Sequence, residues 1–277
     1  MFNITKNFQQ ALNTGQITVH YQPIMAAHTS RIIGAEALIR WLDQDQTPVM
    51  SPDQFIPYIE KDSNLMWETT KFVMQEAFNK LSGHQRVDEV SDFRININIS
   101  PSDIIQEGFR SFINGQLEES GLSPANLGLE ITERQSTEGL ENEIAFKMQH
   151  LKEQGILVSM DDLGIGESTL PTFLSSSFFE TAKLDGKFAD HVQPATFGLL
   201  YTEAVIEQLQ ESGATILAEG IETEAQMHTL TELGVDKFQG YLIGKPMPFS
   251  DLMALLQEPQ PFPPTQETAW IPEHIAA

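Results

Sequence analysis

Short apolar stretches alternate along this chain with longer segments in which apolar residues recur every three or four positions. The short stretches predict strands at 16–22, 31–39, 93–99, 127–132, 156–160, 182–185, 214–219 and 237–243. The helical spacing predicts helices at 51–60, 65–81, 141–155, 196–213, 223–234 and 250–257. Ser51 followed by Pro52 marks a helix start, because a hydroxyl can cap the first turn and the proline ring presets its backbone angle; Ser100 and Pro101 repeat that signal. Gly83 and Gly155 stand where helices should stop. Eight strand candidates separated mostly by helices predict an α/β protein, a (β/α)8 TIM-like barrel with a largely parallel sheet. The first two strands lie too close in sequence for a crossover helix, so one strand should run antiparallel. A doubly wound open sheet is the alternative, but no glycine-rich dinucleotide fingerprint follows the first strand. The barrel is expected to occupy residues 1–258. The proline-rich segment 259–277 cannot be regular and should form a tail or an extended arm.

Polar side chains gather at the C-terminal ends of these strands: Glu36, Asn98, Glu130 and Glu133, Asp161 and Asp162, Lys183, Glu219 and Gln239. In a barrel those ends converge on the face where active sites are built. Each residue alone has an ordinary explanation. An Asp pair before Gly-Ile-Gly is commonly a solvated turn, a strand-end Glu commonly a helix-terminal acid, and a lysine commonly half of an ion pair. Recurrence at equivalent points of successive units favours one shared site. Two adjacent like charges at a buried strand end call for a cation between them.

Composition narrows the cation. There are no cysteines, so disulfides and thiolate zinc sites are excluded, and the seven histidines are scattered without metal-binding spacing. An all-oxygen set (Glu36, Asn98, Glu130, Asp161, Asp162 and Glu219) points to Mg²⁺ or Mn²⁺. Two such ions sharing a carboxylate would activate water and steady both oxygens of a phosphate ester under cleavage. The formal net charge is −23, from 39 acids against 16 lysines and arginines, which weighs against DNA, RNA or an anionic membrane as partner. The N-terminal residues lack the long apolar run of a signal peptide, and no segment is long and apolar enough to span a bilayer, so a cytoplasmic protein is expected.

Taken in order, the motifs resemble the EAL-domain family, which hydrolyses the bacterial second messenger cyclic di-GMP. Glu36-Ala37-Leu38 is the namesake triplet, within YQPIMAAHTSRIIGAEALIRW at 21–41. NIS at 98–100, LEITE at 129–133, MDDLGIG at 160–166, AKLD at 182–185, AEGIET at 218–223 and QGYLIGKPMP at 239–248 follow in family order. The resemblance spans about residues 5–257. It implies a barrel with one antiparallel strand and a two-metal phosphodiesterase that yields linear pGpG. By the same resemblance, Glu36, Asn98, Glu130 and Asp161 would ligate the first ion; Asp161, Asp162 and Glu219 would serve the second. Lys183 would contact the attacking water, and Gln239 would join that network. Gln22, Arg40 and Asp185 fall at substrate-gripping positions, and Glu133 and Glu222 match acids that brace the loop after the Asp pair. Family members commonly pair beside that loop, so a homodimer is expected.

There are departures. The loop reads DDLGIGESTL where the family usually has DDFGTGYSSL, which bears on regulation and rate while leaving the ligand positions intact. No GGDEF stretch or sensor segment is present, so a stand-alone module is expected. Two other readings compete with the enzyme: a receptor that binds cyclic di-GMP without cutting it, and a protein-interaction module with an idle pocket.

Overall fold

The computed structural model describes residues 3–84, 93–131, 139–164, 168–192 and 197–257. Helix α1 (Ile4–Thr14) precedes β1 (Ile17–Ala26) and β2 (Ile32–Leu42); β3 (Pro48–Met50), α2 (Pro52–Ile59) and α3 (Ser63–Ser82) follow. The repeating units then run β4 (Arg94–Ile99), α4 (Pro101–Ile104), α5 (Phe109–Ser120), β5 (Leu127–Ile131), α6 (Glu141–Glu153), β6 (Leu157–Leu163), α7 (Leu170–Ser175) and β7 (Thr181–Leu184). The last are α8 (Gly186–Asp190), α9 (Phe197–Glu211), β8 (Thr215–Ala218), α10 (Glu224–Glu232), β9 (Lys237–Gln239) and α11 (Phe249–Gln257).

The strands lie in the order β1-β9-β8-β7-β6-β5-β4-β2, and β2 pairs back on β1, which closes a barrel with β3 hanging from its rim. β1 is antiparallel to both neighbours and the other barrel strands are parallel to one another, as the short first connection requires. This is the expected (β/α)8 barrel with one antiparallel strand.

Period-two alternation sorts the side chains. Ile95, Ile97 and Ile99 of β4, with Leu127, Leu129 and Ile131 of β5, face outward into the apolar layer beneath the helices. Asn96 and Asn98, Gly128 and Glu130 alternate with them and face the barrel axis. The core is therefore the shell between sheet and helices. On one side it is an aromatic knot in which Phe8 of α1 stacks on Phe55 of α2 at 5.1 Å and meets Trp41 of β2 edge-on at 5.5 Å.

Several boundaries differ from the sequence expectations. The strand predicted at 237–243 ends at Gln239, because Gly240 packs directly against the Ile221 backbone and its carbonyl accepts from the N–H groups of Ile243 and Gly244, turning the chain. β6 continues past Met160 through Asp162 to Leu163. The helix begun at Ser100 runs only four residues before the chain turns and restarts as α5. α1, β3, α5, α7 and α8 were not among the predicted elements. The tail at 259–277 lies outside the described residues, and among those described no helix is long and apolar enough to cross a membrane.

Candidate active site

Eight inward side chains from the barrel strands and their ends form a hydrogen-bonded ring at the C-terminal mouth. Glu36 on β2 accepts from Asn98 Nδ2 at 2.6 Å through one oxygen and from Gln239 Nε2 at 2.6 Å through the other. Gln239 Nε2 also lies 3.2 Å from the Oε1 of Gln22 on β1, whose own amide donates to the Gly244 carbonyl at 3.3 Å. Lys183 on β7 stands at the centre of the acids. Its ammonium donates to Glu130 at 2.6 Å and Asp161 at 2.7 Å, lies 2.8 Å from Glu219, and has Glu36 at 3.8 Å. Glu130 is 0% exposed and Lys183 1%.

The Asp161–Asp162 pair has a local explanation. Adjacent residues of a regular strand point to opposite faces, so two neighbouring carboxylates would ordinarily be parted. Here the β6–β7 register shifts between Met160 and Leu163, and Asp162 adopts a left-handed backbone with φ of 52°. Aspartate tolerates that region better than most residues. As a result Asp161, Asp162 and Glu219 each offer a carboxylate oxygen, all within 4.8 Å of one another. Gly164, φ 101°, follows at once; a Cβ there would lie 2.7 Å from the Phe188 ring, so only glycine fits.

Charge dominates this ring. Glu36, Glu130, Asp161 and Glu219 surround a single ammonium, and Asp162 stands beside Asp161 and Glu219. Burial, then repulsion from the neighbouring acids, pushes the Glu130 carboxyl well above the usual range and the Glu219 carboxyl up to about 8, against the pull of Lys183. Burial alone would lower Lys183, but Asp161, Glu130, Glu219 and Glu36 together hold it well above its ordinary value, so it is an ammonium. The oxygen-only donors suit Mg²⁺ or Mn²⁺, and the excess of acid over base is what divalent cations would neutralise.

Two cavities open on the ring. One, of about 300 Å³, is lined by Arg40, Asp53, Ile56, Thr70, Asn98 and Asp162 among others. The other, of about 390 Å³, is lined by Gln22, Gly220, Glu222, Gln239 and Tyr241. Glu36 and Glu219 border both. Arg40 shares the inward face of β2 with Glu36, four residues on, and spends one N–H on the Ile39 carbonyl at 2.8 Å. Burial lowers its pKa and Glu36 offsets part of that.

Not every expected residue joins the ring. Asp185 caps α8, accepting from the Lys187 N–H at 3.0 Å, and lines neither cavity. Glu222 is exposed at the rim of the second cavity, and its carboxylate makes no hydrogen bond or ion pair among the described residues. Glu133 lies outside the described residues, as do Ile165 and Glu167 of the altered loop. Two residues escaped the sequence reading. Asn96 donates to Glu130 at 2.6 Å, and its signal was its place two residues before Asn98 on the same face. Asp103, wholly buried, accepts from the Ser100 N–H, the Ser100 hydroxyl and the Thr70 hydroxyl at 2.8–3.0 Å, pinning the turn beyond Asn98. Burial raises its pKa.

A largely parallel-stranded barrel with acids, amides and one lysine converging at the strand C-termini is a TIM barrel whose mouth holds an acidic cluster that could bind a metal ion. The chain belongs to the EAL-domain family, whose profile matches residues 5–246. It is 31% identical over 253 residues to the bifunctional diguanylate cyclase/cyclic di-GMP phosphodiesterase MucR of Pseudomonas aeruginosa, a match that covers 90% of this chain and 36% of that protein. It is 32% identical over 250 residues to the protein named probable cyclic di-GMP phosphodiesterase PdeI of Escherichia coli K12, covering 89% of this chain and 31% of the relative. The chain thus spans about a third of the length of these curated relatives. Among solved structures, the EAL enzyme Bd1971 bound to cAMP and cyclic di-GMP superposes with a TM-score of 0.84 at 25% identity, covering 92% of this chain and 68% of that one. The MucR phosphodiesterase in complex with cyclic di-GMP superposes at 0.81 with 29% identity, over 91% of this chain and 100% of that one.

Proposed function

We propose that this chain hydrolyses cyclic di-GMP to linear pGpG with two Mg²⁺ or Mn²⁺ ions. The observation that carries the reading is the convergence of Asp161, Asp162 and Glu219 within 4.8 Å, beside a lysine buried among carboxylates, at the junction of two cavities. Glu36, Asn98, Glu130 and Asp161 would hold one ion, and Asp161, Asp162 and Glu219 the other. Bound there, the pair would supply a water acidic enough to attack at neutral pH and positive charge for the phosphate.

The chain's own groups do the rest. The two cavities, meeting at Glu36 and Glu219, suit the two nucleotide halves of a cyclic dinucleotide on either side of one scissile phosphate. Arg40 can fork two N–H groups onto a phosphate at the mouth, in a way a lysine could not. The Gln22–Gln239 amide chain fixes the orientation of Glu36, and Asn96 does the same for Glu130. Lys183, whose three N–H groups face Glu130, Asp161 and Glu219, would orient the attacking water by donation where one of those acids turns to a bound ion. It can accept a proton only once other positive charge in the ring replaces its own.

The test is product analysis of the purified chain incubated with cyclic di-GMP and Mg²⁺ or Mn²⁺. Linear pGpG that disappears in Glu36→Ala supports the enzyme. Lys183→Ala should lower turnover by orders of magnitude while sparing substrate affinity, since a water-orienting group acts mainly in the transition state. Tight binding without product would make the chain a receptor and overturn the reading.

A further inference from the structure

Beneath the acid ring the barrel axis is still polar, and it is not filled. Barrels of this architecture are normally plugged by layers of bulky branched side chains. Here the inward positions below Glu36 and Glu130 are Gly34 and Gly128, and those below Asp161, Lys183 and Gln239 are Ser159, Thr181 and Lys237. A small cavity remains at the floor, lined by Arg94, Asn96, Ser159, Thr181 and Lys237, with aliphatic side chains completing the wall. About 20 Å³ of it is open to the centre of a water-sized sphere, room for one water or a chloride-sized ion but not for phosphate.

The charged groups around this space are both cationic, half-buried and without a protein counter-charge among the described residues, and two hydroxyls beside them are buried. The Lys237 ammonium makes no hydrogen bond or ion pair among the described residues. Arg94 spends its Nε–H on the Ala125 carbonyl at 2.9 Å, and its terminal N–H groups bond to no protein atom among the described residues. Ser159 Oγ and Thr181 Oγ1 are buried without a partner, on residues 0% and 2% exposed. Asn96 has already committed its N–H to Glu130. The nearby acids do not close the balance: Asp236 turns Oδ2 to the Ile216 N–H at 2.7 Å, and neither it nor Glu180 forms an ion pair with Lys237 or Arg94. Burial, followed by the charge of Arg94, pulls Lys237 down to about 8 although Asp236, Glu130 and Glu180 push the other way, which is the behaviour of an ammonium short of counter-charge.

We infer that the barrel floor is a binding site for a small monovalent anion of the halide class, held by Lys237 and Arg94 and hydrogen-bonded by Ser159 and Thr181. A cation is repelled by two positive groups, and a water would satisfy the hydroxyls yet leave both charges uncompensated. An anion does both at once.

Two measurements test it. Wild-type crystals soaked in bromide should show an anomalous peak beside Lys237 Nζ. In solution, replacing gluconate by chloride at constant ionic strength should raise the melting temperature by several degrees and saturate. Lys237→Met should flatten that chloride dependence and melt higher than wild type in chloride-free buffer, because the uncompensated ammonium is gone. A floor without a bromide peak, or a chloride response unchanged in Lys237→Met, overturns the site.

Discussion

Removing the Lys183 ammonium with a side chain of similar volume, Lys183→Met, probes the charge balance on which the mouth rests. Glu130, Asp161 and Glu219 lose a shared partner now 2.6, 2.7 and 2.8 Å away. Breaking one buried ion pair by deleting a partner costs about 3–5 kcal/mol. Three pairs break here, yet the loss does not triple, because the orphaned carboxyls can take up protons. That escape is already prepared: Glu130 is raised by burial and Glu219 stands at about 8 against an ordinary 4.5. An acid whose folded pKa exceeds its unfolded value binds more protons when folded. Its contribution is fully present below the unfolded pKa and lost as pH rises through the folded one. For Glu219 that window runs from 4.5 to about 8, and deleting Lys183 moves the upper edge higher still. Without metal, the variant should therefore lose only about 1–2 kcal/mol at pH 5, mostly hydrogen bonds, and about 3–5 kcal/mol at pH 8. Urea denaturation of both proteins in chelator, at the two pH values, measures the difference. Repeating it in Mg²⁺ or Mn²⁺ should recover much of the loss. Equal losses at pH 5 and pH 8 would show that this ammonium is not what lets the acids be buried together.

Other substitutions address the geometry. Asp162→Asn should melt within about 0.5 kcal/mol of wild type, since asparagine accepts the left-handed backbone, while Mn²⁺ affinity by calorimetry falls at least tenfold. Asp162→Val should cost about 2 kcal/mol in the same melts, because a β-branched residue at φ 52° is strained. Gly240→Ala drives a methyl into the Ile221 backbone, so about 3 kcal/mol of stability should go, and turnover with it as Gln239 shifts. Asn96→Leu strips a donor from the buried Glu130 and should cost about 2 kcal/mol in chemical denaturation. Ca²⁺ in place of Mg²⁺ should inhibit turnover, since its larger and looser coordination suits Mg²⁺-sized spacing badly; full activity in Ca²⁺ would count against the two-ion reading.

All eight barrel strands were legible because alternation writes both faces at once: in FRININI the isoleucines mark the shell and the asparagines the axis. The ring was legible for the same reason, since its members sit at equivalent strand ends. What stayed hidden is set by contacts between distant residues. Where β9 stops depends on Ile221 lying against Gly240, and nothing near Gly240 announces that. The left-handed turn at Asp162 left only a faint trace, two like charges in a row. Asp185 carried a family motif, yet its carboxylate is engaged as a helix cap. Helix α1 carries helical spacing at Ile4, Phe8, Ala11 and Leu12, but it precedes the first strand and has no place in the strand–helix alternation that reveals the others.

The separation of an apolar shell from a polar shaft has an evolutionary corollary. Folding is driven by the outer layer, so an exchange on the axis at Lys237, whose charge is short of a partner, carries little risk to the scaffold, while exchanges within the hydrogen-bonded ring cost stability. The apolar shell and the costly mouth can therefore vary independently, the one setting the scaffold and the other the crowded acids around Lys183.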